Sequence, residues 1–206
     1  MKKKTISFFA IIIVLSFFTC VSAQTVYTVV SGDSMWKIAV KYERGLDELK
    51  VANPSIKNYA LIYPGQKINI PAAEGLTQIE DEVIRLVNVE RSKRGLMQLK
   101  KNWQVARVAR YKAKDMAVNN YFSHTSPTYG SPFNMMENFG ILFSAAGENI
   151  AYGQKTPLAV MTAWMNSPGH RNNILSPSFT EIGVGAYKNS NGTIYWSQMF
   201  IKPTTR

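Results

Sequence analysis

Apolar and polar positions along the chain settle into interpretable periods after the first two dozen residues. The run YTVV predicts a short strand, SGDS a turn, and MWKIAVKY a helix capped by Ser34 with Trp36, Ile38 and Ala39 turned inward. LDELKVAN reads as a second helix stopped by Asn53-Pro54, and KINI alternates like a strand that pairs with YTVV. A longer helical period begins at Thr77, where Ile79, Val83, Leu86, Val87 and Glu90 recur at three and four and Gly95 ends the run. Trp103 to Asn119 carries Val105, Ala106, Ala109, Ala113, Met116 and Ala117 along one face. Ser131-Pro132 and Thr156-Pro157, each a cap followed by a first-turn proline, open two more helices. EIGVGAYK and TIYWSQMFI, either side of NSNG, predict an antiparallel hairpin. Helices followed by strands, without a βαβ alternation or a phosphate loop, indicate an α+β chain: a small βααβ unit and then a larger layered domain.

Composition bears mainly on where the protein works. MKKKTISFFAIIIVLSFFTCVSA, residues 1–23, has three lysines, an apolar run and a small-residue site, the pattern of a signal peptide cleaved after Ala23. The run from Ile6 to Val21 is shorter than the roughly 20 residues of a spanning helix, so no transmembrane span is expected after processing. Cys20 offers a lipidated alternative, against which stand the bulky Phe17, Phe18 and Thr19. Processing at Ala23 removes the single cysteine, so neither disulfides nor thiol catalysis is available to the mature chain. The formal net charge is +11, of which +8 remains after Lys2, Lys3 and Lys4 are lost. An exported basic protein meets anionic wall polymers or lipid rather than nucleic acid. Ten Lys or Arg against one acid, Glu90, lie between Arg85 and Lys114, predicting a basic outer face on two helices.

YTVVSGDSMWKIAVKY, VANPSI and LIYPGQKINIP, in that order over residues 25–71, resemble a LysM module. The resemblance implies binding of peptidoglycan or a related N-acetylglucosamine polymer in a shallow groove. Gly32, Asp33, Ser34 and Met35 would form one lip, and Asn53, Pro54, Ile56, Leu61 and Ile62 the other. Met35 departs from the family's usual leucine, a nearly volume-neutral change. Residues 72–76, AAEGL, form a brief linker, so the two modules are expected close together.

YFSHTSP, AGENIAYG, WMNSPGHRNNIL, IGVGAY and YWSQMFI, within residues 77–203, resemble the CAP superfamily of SCP-like, allergen-like and pathogenesis-related proteins. That resemblance implies an α-β-α sandwich whose cavity gathers His124, Glu148 and His170. The family often adds a second acid, and Glu137 is the only carboxylate between the first histidine and Glu148, leaving its membership open. The residues alone permit three roles. Two imidazoles and a carboxylate can hold a divalent cation such as zinc, with His124 and His170 as ligands, or relay protons, or brace loops by hydrogen bonds. No short ligand spacing supports a metal, and no cofactor is required by the sequence.

Other residues read as architecture. Trp164 and Trp196 are expected in the core, Asn149 and Asn172 as ties between loops and backbone, Pro168-Gly169 as a turn, and Arg171 at a helix end. There is no G-x-S-x-G, no H-E-x-x-H and no thiol, so no standard hydrolase motif is present and no catalytic residue is assigned. The expected protein is secreted and wall-associated, with LysM localising a CAP domain that binds an ion, ligand or partner. Two alternatives remain: a metal-dependent hydrolase of wall material or protein, and a lipid-binding or spore-envelope assembly module.

Overall fold

The computed structural model describes residues 25–72 and 76–204. The expected signal peptide and cleavage site, and most of the 72–76 linker, lie outside the described residues.

The first module is β1 (Thr25–Thr28), α1 (Met35–Lys41), α2 (Leu46–Ala52) and β2 (Lys67–Ile70). β1 and β2 pair antiparallel, Thr25 opposite Ile70 and Thr28 opposite Lys67, so the first strand begins two residues before YTVV. Ser34 Oγ accepts from the Lys37 amide at 3.2 Å, capping α1. The inward face of α1 is Met35, Ile38 and Ala39, which pack on Val29, Leu49, Ile68 and Ile70. Trp36 was expected inward and is instead 50% exposed, because one residue's advance on the helix turns it about 100° off that face.

The larger domain follows as α3 (Thr77–Ser92), β3 (Lys100–Lys101), α4 (Trp103–Val118), α5 (Pro132–Asn138), β4 (Phe143–Tyr152), α6 (Pro157–Asn166), α7 (Pro168–Leu175), β5 (Glu181–Lys188) and β6 (Ile194–Pro203). The sheet order is β3-β5-β6-β4, with β3 parallel to β5 and the other pairs antiparallel. Alternation along β6 divides two cores. Ile194, Trp196 and Phe200 pack with α3, α6 and α7, while Met199 and Ile201 pack with α4 and α5. Three layers result, helices on both faces of the sheet.

The glycines of β5 explain how closely α4 approaches. Ile182, Val184 and Ala186 face the α3 side, so Gly183 and Gly185 face α4. A Cβ at Gly183 would lie 2.1 Å from the Ala106 amide nitrogen, and one at Gly185 2.1 Å from that of Arg110. Only hydrogen at both positions lets the helix backbone rest on the strand.

The predicted basic face is smaller than the sequence implied, because several of its charges are directed inward. Arg91 is 1% exposed and donates to the carbonyls of Met97, Ile174 and Ser176. Lys112 is fully buried. Arg110 donates from Nε to buried Glu80 at 2.8 Å, and Glu80 also accepts from the Ala186 amide at 2.9 Å. Arg107 reaches the first module, where its Nε lies 3.0 Å from Glu48 on α2 as an ion pair off the hydrogen-bond direction. Tyr111 Oη donates to the same carboxylate at 3.1 Å. Gly45 makes room for this contact, since a Cβ there would fall 2.7 Å from the Arg107 guanidinium carbon.

Candidate functional site

His124 belongs to the loop after α4, and that loop is built from the end of α4. Asp115 accepts from Ser126 Oγ at 2.6 Å, Thr128 Oγ1 at 2.8 Å, Asn119 Nδ2 at 2.7 Å and the Tyr121 hydroxyl. Burial pushes the Asp115 carboxyl up, but these donors outweigh it and hold it below the ordinary range. One turn earlier, Lys112 Nζ donates to the His124 carbonyl at 2.8 Å and to Tyr121 Oη at 3.1 Å. Burial lowers the pKa of this ammonium, opposed by the charges of Glu148 and Asp115.

Glu148 comes from β4, the edge strand. It sits opposite Met199 and therefore on the α4 face of the sheet. Its side chain is 1% exposed, whereas that of His124 is 54% exposed. His124 Nδ1 donates to Glu148 Oε2 at 2.8 Å, and Ser197 Oγ donates to Oε1 at 3.3 Å. With the ring proton on Nδ1, Nε2 of His124 carries a lone pair.

His170 lies on α7, across the edge of β4. The sequence suggested a turn at Pro168-Gly169; instead Pro168 occupies the first turn of a helix, where its missing N–H costs nothing. Asn149 Nδ2, on the other face of β4, donates to the His170 carbonyl at 3.1 Å and to Gln198 Oε1 at 2.9 Å. Asn173, not the exposed Asn172, completes this tie by donating to Glu148 O at 3.1 Å and Asn149 Oδ1 at 2.8 Å. Burial lowers the His170 pKa, and the neighbouring His124 lowers it further. Its Nδ1 is buried without a partner.

The structure thus brings His124 and Glu148 into contact and His170 within electrostatic range of them. Glu137 stands exposed on α5, with no hydrogen bond to the three among the described residues. The described residues contain no group of three or more His, Cys, Asp or Glu side chains arranged to hold a metal ion. Glu148 orients the His124 imidazole through Nδ1 and leaves Nε2 as the ring atom through which His124 could bind a ligand. Trp164 and Trp196 are in the core, and Arg171 donates to the Met165 carbonyl at the end of α6.

In the first module the predicted lips divide between surface and core. Gly32, at φ 85°, Ser34, Pro54 and Leu61 are exposed. Asp33 accepts from the Val30 amide at 2.9 Å and Tyr27 Oη at 2.8 Å, and these bonds hold its carboxyl below the ordinary range. Met35 and Asn53 are buried, and Asn53 bonds both Leu49 O and the backbone of Asn69. Ile56 and Ile62 pack partly against the module's core.

Sequence reasoning did not find Lys112 or Asp115. Their signal is two polar residues on the apolar side of an otherwise amphipathic helix. A separate open groove of about 440 Å³ lies between α3 and α6, lined by Leu86, Val89, Leu158 and Met161 and by Lys93 and Arg94, both ion-paired with Glu90.

Helices sandwiching this sheet around a histidine–glutamate edge define a CAP-type domain, here joined to a βααβ module. The Cysteine-rich secretory protein family (CAP) model matches residues 84–200, more than half of the 206 residues, and the LysM domain model matches residues 27–71. The chain belongs to the CAP family and carries a LysM domain. It is 53% identical over 130 residues to the uncharacterized protein YkwD of Bacillus subtilis (strain 168), covering 63% of this chain and 49% of YkwD. It is 37% identical over 150 residues to the uncharacterized membrane protein YlbC of the same organism, covering 70% and 42% respectively. The chain therefore spans about half the length of these relatives or less. Among solved structures, an extracellular SCP-domain protein from Bacillus anthracis str. Ames matches with a TM-score of 0.57 and 36% identity, over 68% of this chain and 47% of that one. Among the described residues no helix is long and apolar enough to cross a membrane.

Proposed function

We propose that this is an exported, wall-associated binding protein in which LysM holds an N-acetylglucosamine polymer such as peptidoglycan and thereby localises the CAP cavity. The observation that carries the reading is the presence, on one chain with a CAP domain, of a complete βααβ LysM fold with Gly32, Ser34, Pro54 and Leu61 on its surface. The CAP site acts as a receptor for a ligand or partner. The His124–Glu148 pair supplies an oriented imidazole, and among the described residues no serine hydroxyl is bonded to that ring as a nucleophile would be, Ser197 Oγ meeting Glu148 instead. Ser123 Oγ, next in sequence, accepts from the Thr125 amide.

The test is co-sedimentation with purified sacculi. The mature chain pellets, a chain lacking residues 24–71 stays in solution, and a His124→Ala, His170→Ala variant pellets like the parent. Undiminished pelleting of the shortened chain refutes the anchoring role. Release of soluble glycan by the parent, with or without zinc, and its loss in the double variant would favour the hydrolase alternative. The lipid alternative is favoured by a separate observation, the groove between α3 and α6, lined by Leu86, Val89, Leu158 and Met161, whose apolar side chains suit an acyl chain. Displacement of a fluorescent fatty acid that is lost in Leu158→Asp tests it.

A further inference from the structure

A second cleft, of about 240 Å³, lies along the outer edge of β4 beside His170. Its space equals roughly eight liquid waters and falls below the ~300–1,000 Å³ of drug-sized sites, so it suits a single ring. Its wall is aromatic. Phe122 and Tyr152 have ring centroids 4.7 Å apart, and Tyr152 stacks on Tyr195 at 5.7 Å and 22°. The outer two rings are nevertheless 47% and 52% exposed.

The rest of the lining sets Gln154, Ser167 and His170 among apolar Ile150, Ala151, Ala163 and Trp164. Gln154 Oε1 and His170 Nδ1 both belong to lining residues, and both are buried without a hydrogen-bond partner. Each such atom costs about 1–3 kcal/mol until something bonds it. None of the lining residues is Asp, Glu, Lys or Arg, which disfavours a charged ligand. Trp164 Nε1 and Asn173 Nδ2 bond the carbonyls of Ile150 and Glu148, so the alternate residues 148, 150 and 152 direct their backbone groups away from β6. The Tyr152 amide therefore points to the open edge.

We propose that this cleft is a subsite for one pyranose ring of an N-acetylated wall glycan. A sugar ring offers C–H faces to the negative face of Tyr152 and hydroxyl edges to Gln154 and His170 once these side chains turn their buried Oε1 and Nδ1 toward the cleft, and its acetamido carbonyl has the Tyr152 amide as a donor. A lipid chain would leave the polar atoms unpaired, and a cation would find no carboxylate. The choice of an N-acetylated sugar rests on the proposed wall association; the cleft's match to a neutral, hydroxyl-rich ring does not.

The experiment is a titration of the isotope-labelled mature chain with chitohexaose, followed by backbone and aromatic chemical shifts. Two separate sets of perturbations are expected, one within residues 25–71 and one at Phe122, Tyr152, Gln154, Ser167 and His170. Tyr152→Ala weakens the second set about tenfold or more and leaves the first unchanged, whereas Tyr152→Phe retains both. Gln154→Ala, with every aromatic kept, also weakens only the second set. Shifts confined to residues 25–71 overturn the proposal while supporting LysM anchoring. Shifts confined to the cleft support it and count against the anchor, and equal cleft binding of cellohexaose overturns the N-acetyl specificity.

Discussion

Replacing Gly185 with alanine tests whether contact between α4 and β5 is what fixes the larger domain. The new methyl would stand 2.1 Å from Arg110 N, 2.2 Å from Ala109 C and 2.5 Å from Ala109 O, all backbone atoms that no rotamer change can move. Reaching even a tight 3.4 Å contact requires a retreat of about 1.3 Å. Overpacking of this kind costs about 1–3 kcal/mol, and the retreat also draws Arg110 from Glu80, a buried carboxylate now held at 2.7 Å by the guanidinium. The expected loss is about 3 kcal/mol or more. With a urea slope near 2 kcal/mol/M, the unfolding midpoint should fall by about 1.5 M. Fluorescence of buried Trp164 and Trp196 reports the transition in the relevant core. Gly169→Ala is the control, because a methyl there meets nothing within 4 Å and a helical glycine becomes alanine; it should be neutral or stabilising by up to about 1 kcal/mol. A Gly185→Ala midpoint within experimental error of the parent would refute the argument.

The histidine–glutamate pair should respond unequally to substitution: His124→Ala leaves the 1%-exposed Glu148 carboxylate with Ser197 Oγ as its remaining side-chain donor and costs about 2–4 kcal/mol, whereas Glu148→Gln removes the buried charge, keeps an acceptor for His124 and costs less than about 1 kcal/mol. Similar midpoints for the two variants in urea would contradict this. Asp115 has a lowered folded-state pKa, so its contribution is present above the ordinary carboxylate range and is lost as pH falls through the lowered value. Asp115→Asn should flatten the acid limb of the stability–pH curve and lower its neutral plateau; an acid limb parallel to the parent's counts against the role. Arg107→Ala should loosen the two modules, seen as distinct rotational correlation times for residues 25–71 and 77–203 by nitrogen relaxation, and unchanged common tumbling would show that the Glu48 contact does not hold them.

The sequence revealed elements wherever local chemistry decided the outcome. Ser131 and Thr156 each accept a backbone N–H bond at a helix start, and the two prolines follow their caps as expected. β4 was harder to recognise because Gly147 to Ala151 are all buried, covered on one face by α4 and on the other by α7, which erases the alternation of a half-exposed strand. α7 was hidden for the opposite reason: among its eight residues only Ile174 is buried, so it has no apolar stripe to detect. His124, Glu148 and His170 were singled out by the family resemblance, whereas Glu80, Arg91 and Lys112 could not be placed inside. Several of their partners lie far along the chain, from Glu80 to Ala186 and from Arg91 to Ile174, and periodicity carries no information about such pairings.

The distribution of fixed and free groups around β4 bears on what kind of site it is. Asp115 and Lys112 hold the His124 loop from one face, and Asn149 and Asn173 hold α7 from the other. Glu148 has its two oxygens engaged, yet half of the His124 side chain remains open and His170 Nδ1 has no partner. If the imidazoles served only to brace loops, their ring nitrogens would be expected to take up the available hydrogen bonds, as the asparagines do. Instead most of the bracing falls to other side chains and to the histidine backbone carbonyls, with His124 Nδ1 engaged by Glu148 and His170 Nδ1 buried without a partner. That division is what the proposed receptor role requires, because a rigid surround limits the entropy lost when a ligand is taken up.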